Sequence, residues 1–114
     1  MKFTISHEVT EQQIAYALGS ALEGGSHYWI SEVRCEGLSE DLKTLNLPAI
    51  FKDEDGKTHR VTLTDIRRGL VAMARQKPHK FADLFPRDEN EGDWDQNDAD
   101  KFLQFCVFGK LVYG

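Results

Sequence analysis

The stretch AIFKDEDGKTHRVTL at residues 49–63 decides the fold class, because it predicts a β-hairpin. Two segments rich in strand-forming residues flank Asp55-Gly56, a pair that readily adopts the backbone conformation of a tight hairpin turn. Residues 49–52 and 57–63 are therefore predicted to pair as antiparallel strands. Thr64 is predicted to cap the helix that follows, with Asp65 in its first turn, where the helix dipole favours a negative charge.

Upstream of the hairpin, the sequence predicts two more strands with a helix between them. Residues 2–6 (KFTIS) and 28–36 (YWISEVRCE) show the alternation and the residue types of strands. The helix is predicted to begin at Thr10, because Thr10-x-x-Gln13 fits a capping box, in which each side chain satisfies a backbone N–H group. It is predicted to end at the glycine pair 24–25, since glycine accepts the left-handed conformation of a helix C-cap.

Downstream of the hairpin, two longer helices are predicted. The first has Ile66 and Leu70 at helical spacing and ends before Pro78, after which residues 79–85 predict one or two helical turns. The last helix is predicted to be capped by Asn97 or Asp98. It is apolar nearly all round, which indicates packing on more than one side and favours a homodimer that uses this helix and the chain after it.

These elements predict a single domain over residues 1–114. The expected fold class is α+β, with a small antiparallel β-sheet of about four strands and three main helices packed on it. Six residues on apolar stripes are expected in the core, and they are Ile14, Leu18, Trp29, Leu70, Phe102 and Cys106.

Composition limits the classes of function. The 114 residues contain no apolar run of the roughly 20 residues that a membrane helix needs and no secretory signal pattern, so we expect a soluble cytoplasmic protein. The two cysteines are expected as buried thiols rather than a disulfide framework. The net charge is −5, and residues 88–100 hold seven acids and no base. This acidity argues against direct nucleic-acid binding, because contacts with phosphate groups dominate the affinity of proteins for nucleic acids.

The densest group of chemically versatile side chains lies at the junction between the first helix and the second predicted strand. It combines a carboxylate, a hydroxyl, an imidazole and a phenol beside two glycines, which allow close approach of a ligand or backbone. In the alternative of a purely structural role, the glycines only end the helix and the aromatic residues pack on the sheet. The candidate binding residues of this junction are Glu23, Gly24, Gly25, Ser26, His27 and Tyr28.

Two charged segments are further candidates. In the acidic segment, Trp94 stands between Asp93 and Asp95, an arrangement typical of an aromatic anchor at a contact surface, although Trp94 could instead fold back onto the core. Of the seven acids only Asp98 is expected to have a structural role, at the helix N-terminus. The basic pair Arg67-Arg68 is interpreted either as the exposed side of an amphipathic helix or as a patch for an anionic partner.

Motifs of catalysis and metal binding are missing or incomplete. The acidic segment matches the first ligands of a calcium loop, but the sixth position is Asp98 instead of glycine and the twelfth is Gln104 instead of glutamate. The four histidines lack zinc-ligand spacing, and no phosphate-binding glycine loop is present. We therefore expect no metal, no cofactor and no catalytic residue.

Three motifs carry a resemblance to a known group of proteins. They are E-G-G-S-x-Y-W-I at residues 23–30, R-R-G-L-x-x-M-A at residues 67–74 and A-x-x-F-L-Q-x-x-x-F-G-x-x-V-Y-G at residues 99–114. Together they resemble a family of small, uncharacterised proteins encoded by bacteriophages and prophages. The resemblance implies an accessory phage protein in the cytoplasm of a bacterial host, and it supplies no catalytic residues.

The expected function is therefore non-catalytic binding to a host or phage macromolecule, such as a nucleic-acid-binding host factor whose basic surface an acidic protein could block. Two alternatives stay open. One is a small-molecule or nucleotide-binding protein that uses the junction at residues 24–29. The other is a small enzyme centred on Glu23, His27 and Tyr28.

Overall fold

The structure is a computed structural model, which describes residues 2–4, 8–34, 47–86 and 94–114. The strands in the described ranges are β1 (Lys2–Thr4), β2 (Glu8–Thr10), β3 (Ile30–Arg34), β4 (Ala49–Asp53) and β5 (Thr58–Val61). The helices in the same ranges are α1 (Glu11–Ser20), α2 (Leu63–Gln76), α3 (Pro78–Leu84) and α4 (Gln96–Phe108). A π-helical turn, Ala21–Gly25, continues α1.

The predicted α+β class is confirmed, and the strands divide between two sheets. Strands β3, β4 and β5 form an antiparallel sheet in that order, whereas β1 pairs with β2 as a separate hairpin. The segment of β2 was predicted as part of a loop and a helix cap, so β1 was expected in the main sheet. The hairpin around Asp55-Gly56 is confirmed, with Gly56 at φ +81°, a left-handed conformation that favours glycine.

The capping prediction is right for α1 and wrong for α2 and α4. Thr10 and Gln13 form the expected capping box of α1. Helix α2 begins two residues earlier than expected, because Thr62, not Thr64, caps it and Asp65 accepts the N–H of Thr62 at 2.8 Å. A capping box requires a partner three residues after the cap, and Asp65 meets that requirement only for Thr62.

Helix α4 is the centre of the molecule. It contacts α1, the π-helical turn, α2, α3 and β5. Phe102, Leu103, Phe105 and Cys106 are buried on these different sides. The apolar residues all round the helix are therefore explained by packing within one chain, which removes the reason for expecting a dimer through this helix.

All six predicted core residues are buried. Close packing of α2 on α4 depends on Gly69, since a Cβ there would stand 2.5 Å from Cys106 Sγ and 2.8 Å from Cys106 Cα. Burial raises the pKa of the Cys106 thiol well above its ordinary value, so this thiol is unreactive. Cys35 lies outside the described residues. No helix in the described ranges has an apolar stretch of membrane-spanning length.

Candidate functional site

Two polar residues of the predicted binding junction, Ser26 and Tyr28, join the adjacent Trp29 in a buried network on α4. Asp100 is 5 % exposed, and its carboxylate accepts four hydrogen bonds. On Oδ1 the donors are Ser26 Oγ at 2.7 Å and Trp29 Nε1 at 2.8 Å. On Oδ2 they are Tyr28 Oη at 2.5 Å and Gln104 Nε2 at 2.9 Å. We call these five residues the Asp100 network.

Gln104 extends the network to the carboxyl-terminal segment. Its Oε1 accepts the backbone N–H groups of Val112 and Tyr113, each at 2.8 Å. The ring of Tyr113 then stacks on Trp29 with the ring centroids 5.0 Å apart and the planes 11° from parallel. The network thus joins the junction, α4 and the final residues, which are far apart in sequence.

The network leaves little free chemical capacity at the junction. Partial burial, together with the hydrogen bond to Asp100, raises the pKa of Tyr28 to about 12, which makes its hydroxyl a poor proton donor or nucleophile at neutral pH. Both Asp100 oxygens are saturated with donors, so this carboxylate is not placed to act as a base.

The three residues of the enzyme alternative do not form a catalytic group. Tyr28 donates to Asp100, whereas the Nε2 atom of His27 is hydrogen-bonded to the carbonyl oxygen of Leu22 at 2.9 Å. Glu23 is exposed, and its carboxylate makes no hydrogen bond within the described part of the chain. Hydrogen-bond contact between nucleophile and base, which activation requires, is therefore not observed among these side chains.

The glycine pair allows the predicted close approach of backbone, but it does not form the predicted left-handed helix cap. Neither Gly24 nor Gly25 has the positive φ of a left-handed cap, because the backbone passes through the π-helical turn instead. A Cβ on Gly24 would stand 2.7 Å from the side chain of Gln96, and a Cβ on Gly25 would overlap the Gln96 carbonyl oxygen. The two glycines therefore allow the turn to lie directly against the start of α4.

Several residues of the predicted acidic contact surface have structural roles instead. Asp95, and not Asn97 or Asp98, is the N-cap of α4, and Asp98 completes the capping box. Asp98 is buried and lies 3.2 Å from Lys80 Nζ. Trp94 is half-buried against the core, as in the alternative interpretation. Asp93 and residues 88–92 lie outside the described residues.

The prediction that Asp98 alone had a structural role is thus wrong for Asp95 and Asp100. Sequence reasoning also missed Gln104, since one polar residue in an apolar helix gives no sign of its partners. The only usable signal was that Asp100 and Gln104 are four residues apart, which places both on one face of the helix.

An open groove lies beside the junction, with a volume of about 450 Å³. Its apolar lining consists of Leu22 and Ile30, which are both buried. The polar lining consists of His27, Ser31, Glu32 and Glu54. We call it the carboxylate groove.

A β-bulge and a backbone contact shape this groove. Ile30 lies opposite Asp53 and Glu32 opposite Lys52, so Ser31 is an extra residue without a partner in β4. The Ser31 hydroxyl donates to the Asp53 carbonyl oxygen at 2.9 Å. The N–H of Glu54 donates to the Trp29 carbonyl oxygen at 3.0 Å, which holds the hairpin turn next to the beginning of β3.

Two carboxylates of the groove have no cationic partner. Neither Glu32 nor Glu54 forms an ion pair within the described residues, although Lys52 lies opposite Glu32 in the strand register. Of the predicted site residues, only His27 lines the groove. In the described ranges no three metal-ligating side chains are grouped closely enough to hold an ion.

The basic pair Arg67-Arg68 lies on the exposed side of α2, as the amphipathic pattern predicts. Arg68 forms an ion pair with Asp65, one turn earlier in the helix. Neither arginine lines the carboxylate groove.

The chain has no significant match among protein-family models, curated proteins or solved structures.

Proposed function

We propose that this chain is a non-catalytic binding protein that holds a basic side chain of a partner protein in the carboxylate groove. The proposal keeps the expected role of an accessory phage or prophage protein in the bacterial cytoplasm, which binds a host or phage macromolecule. It moves the contact from the acidic segment to the groove. A basic nucleic-acid-binding surface on a host factor has the chemistry that this groove would accept.

One observation carries the proposal, which is that Glu32 and Glu54 line an open groove and form no ion pair with any residue that the structure describes. Here both remain available beside an apolar lining. An anionic site with an apolar floor matches a side chain that has an aliphatic stem and a cationic head.

Arginine fits this description better than lysine. Its planar guanidinium group presents five N–H donors and can bridge two acceptors at once. Leu22 and Ile30 would contact the methylene stem, while Glu32 and Glu54 would accept the guanidinium hydrogen bonds. The same carboxylates would repel a phosphate group, so the nucleotide-binding alternative has less support.

The test uses a blocked Gly-Arg-Gly tripeptide as probe and NMR titration of the backbone amides. We expect shifts at Ile30, Ser31 and Glu54, and no binding of the same peptide with norleucine in place of arginine. Replacing Glu32→Gln and Glu54→Gln together should weaken binding by about 2- to 30-fold, if each exposed charge pair contributes about 0.2–1 kcal/mol.

The matched control removes two carboxylates that do not line the groove, through Glu23→Gln and Asp83→Asn. It should bind the arginine peptide as the unmodified chain does. Equal loss in the control and the groove variant would show a diffuse effect of net charge and would refute a specific site. Equal binding of the norleucine peptide would also refute it.

A further inference from the structure

The outward face of α2 carries two arginines on either side of an exposed apolar residue. Arg68, Val71 and Arg75 are separated by three and four residues, which places them along one face of the helix. The Arg68 side chain is 67 % exposed and Val71 is 38 % exposed. Arg75 is exposed and has no ion-pair partner within the described residues. We call these three residues the basic stripe.

The stripe matches the chemistry that the carboxylate groove would take. The groove combines the apolar side chains of Leu22 and Ile30 with two carboxylates that have no ion-pair partner in the described part of the chain. The stripe offers two guanidinium groups with an apolar side chain between them. Arginine next to an exposed apolar residue is typical of protein contacts, whereas a surface for phosphates does not need the apolar residue.

We propose that the basic stripe of a second copy of this chain occupies the carboxylate groove. Arg75 is the residue best placed to enter it, because it has no described acidic partner to give up, and Val71 would cover the apolar lining. The inference rests on the proposed function, since it names one particular source of the basic side chain.

The contact joins two different surfaces, so the association is heterologous and each bound copy presents a further groove or stripe. Growth would continue unless a ring closes. A basic partner protein would compete with the second copy for the same groove, and dilution or added partner would release single chains. Self-association would thereby set the partner concentration above which the partner displaces the second copy from the groove.

Two variants separate the surfaces. The groove variant carries Glu32→Gln and Glu54→Gln, and the stripe variant carries Arg68→Gln and Arg75→Glu. A charge-matched control carries Arg60→Gln and Lys110→Glu, at exposed positions outside the stripe. Val71→Ser provides a second stripe variant without a change in charge. Urea denaturation of each protein first establishes that it is folded.

Sedimentation equilibrium gives the result. The unmodified chain and the control should associate in about 10 mM salt and be monomeric in about 1 M salt. The reason is that the electrostatic screening length is about 30 Å at the lower salt concentration and about 3 Å at the higher one. The groove variant and the stripe variant should each associate about 2- to 30-fold more weakly, as expected for the loss of two exposed charge pairs. A mixture of the groove and stripe variants should form a heterodimer that grows no further. Its one intact groove and its one intact stripe are bound to each other, so no intact surface is left for a third copy.

Each outcome is informative. Association of the stripe variants equal to that of the unmodified chain overturns the proposal, as does a monomeric unmodified chain in low salt. If that monomer still binds the arginine peptide through Glu32 and Glu54, the second copy is not the occupant and the proposed function stands. If the peptide does not bind and no association occurs, both proposals are wrong.

Discussion

Replacing Asp100→Asn tests the central structural claim, because it keeps the shape of the side chain and changes one oxygen to an NH₂ group. If the NH₂ takes the Oδ1 position, the Ser26 hydroxyl can turn and accept from it, but the Trp29 N–H group cannot. If it takes the Oδ2 position, Tyr28 can accept, but the Gln104 NH₂ group cannot. In the first orientation the Trp29 N–H group loses its acceptor, whereas in the second Gln104 Nε2 faces the new NH₂ group but keeps its contacts with Tyr28 Oη at 3.1 Å and the Tyr113 carbonyl oxygen at 3.3 Å.

The size of the effect follows from these contacts. A buried donor without an acceptor costs about 1–3 kcal/mol, and the remaining bonds lose the extra strength that a charged acceptor gives them. Relief from burying a charge offsets part of this loss. We expect the free energy of unfolding to fall by about 1–3 kcal/mol, because asparagine can take the orientation in which Gln104 keeps other acceptors, and this is still a large fraction of the 5–15 kcal/mol typical of a domain.

Urea denaturation followed by tryptophan fluorescence measures this change, and Trp29 reports from inside the network. With a denaturant slope of about 1.5 kcal/mol/M, a loss of 3 kcal/mol would lower the midpoint by about 2 M. Tyr28→Phe is the matched comparison, because it removes one donor and leaves Asp100 three others. It should cost only about 0.5–1.5 kcal/mol.

A loss below about 0.5 kcal/mol for Asp100→Asn would refute the reasoning, since surface substitutions give changes of that size. The double variant with Tyr28→Phe adds an independent check. Its two changes affect the same carboxylate, so their effects should not be additive.

Three further predictions concern packing and pH. Gly69→Ala should lower the free energy of unfolding, measured in urea, by about 1–3 kcal/mol, because its Cβ would press on the Cys106 backbone. An unchanged free energy of unfolding would contradict the close approach of the two helices. Because the folded-state pKa of Tyr28 is raised to about 12 from 10.0, the stability that it contributes is present below pH 10 and lost as pH rises toward 12. Alkaline unfolding monitored by circular dichroism should therefore depend less on pH in Tyr28→Phe, and equal curves would refute this. The hydrogen bond from His59, helped by backbone N–H groups, lowers the pKa of Asp53 below 3.8, so its contribution is present above pH 3.8 and lost as pH falls further. Asp53→Asn should flatten the acid-unfolding curve in that range.

The elements predictable from sequence are those whose causes are local. The hairpin depends on Asp55-Gly56 and its flanking residues, and the capping box at Thr10 depends on a residue three positions later. Both lie within a few residues of each other, so the sequence displays the cause directly. The shifted cap at Thr62 shows the limit of this approach, because neighbouring threonines compete and only the contact with Asp65 decides between them.

The groove and the Asp100 network depend on contacts that no local pattern shows. Ser26 and Trp29 reach Asp100 across 74 and 71 residues of sequence. The acids of the last segment looked alike in the sequence, but burial distinguishes Asp100, which is held by four donors, from the exposed Asp95, which only caps a helix. The junction was predicted as a binding site, and its role as a support for Asp100 was not predictable.

That support bears directly on how the groove can bind. His27 is exposed, but its neighbours Ser26 and Tyr28 are both hydrogen-bonded to Asp100, and the preceding glycines lie against the start of α4. On the opposite side, the N–H of Glu54 is fixed to the carbonyl oxygen of Trp29. The lining residues therefore project from backbone that is anchored on both sides. A groove anchored in this way loses little conformational freedom when it binds, so even a few exposed charge pairs can yield measurable affinity.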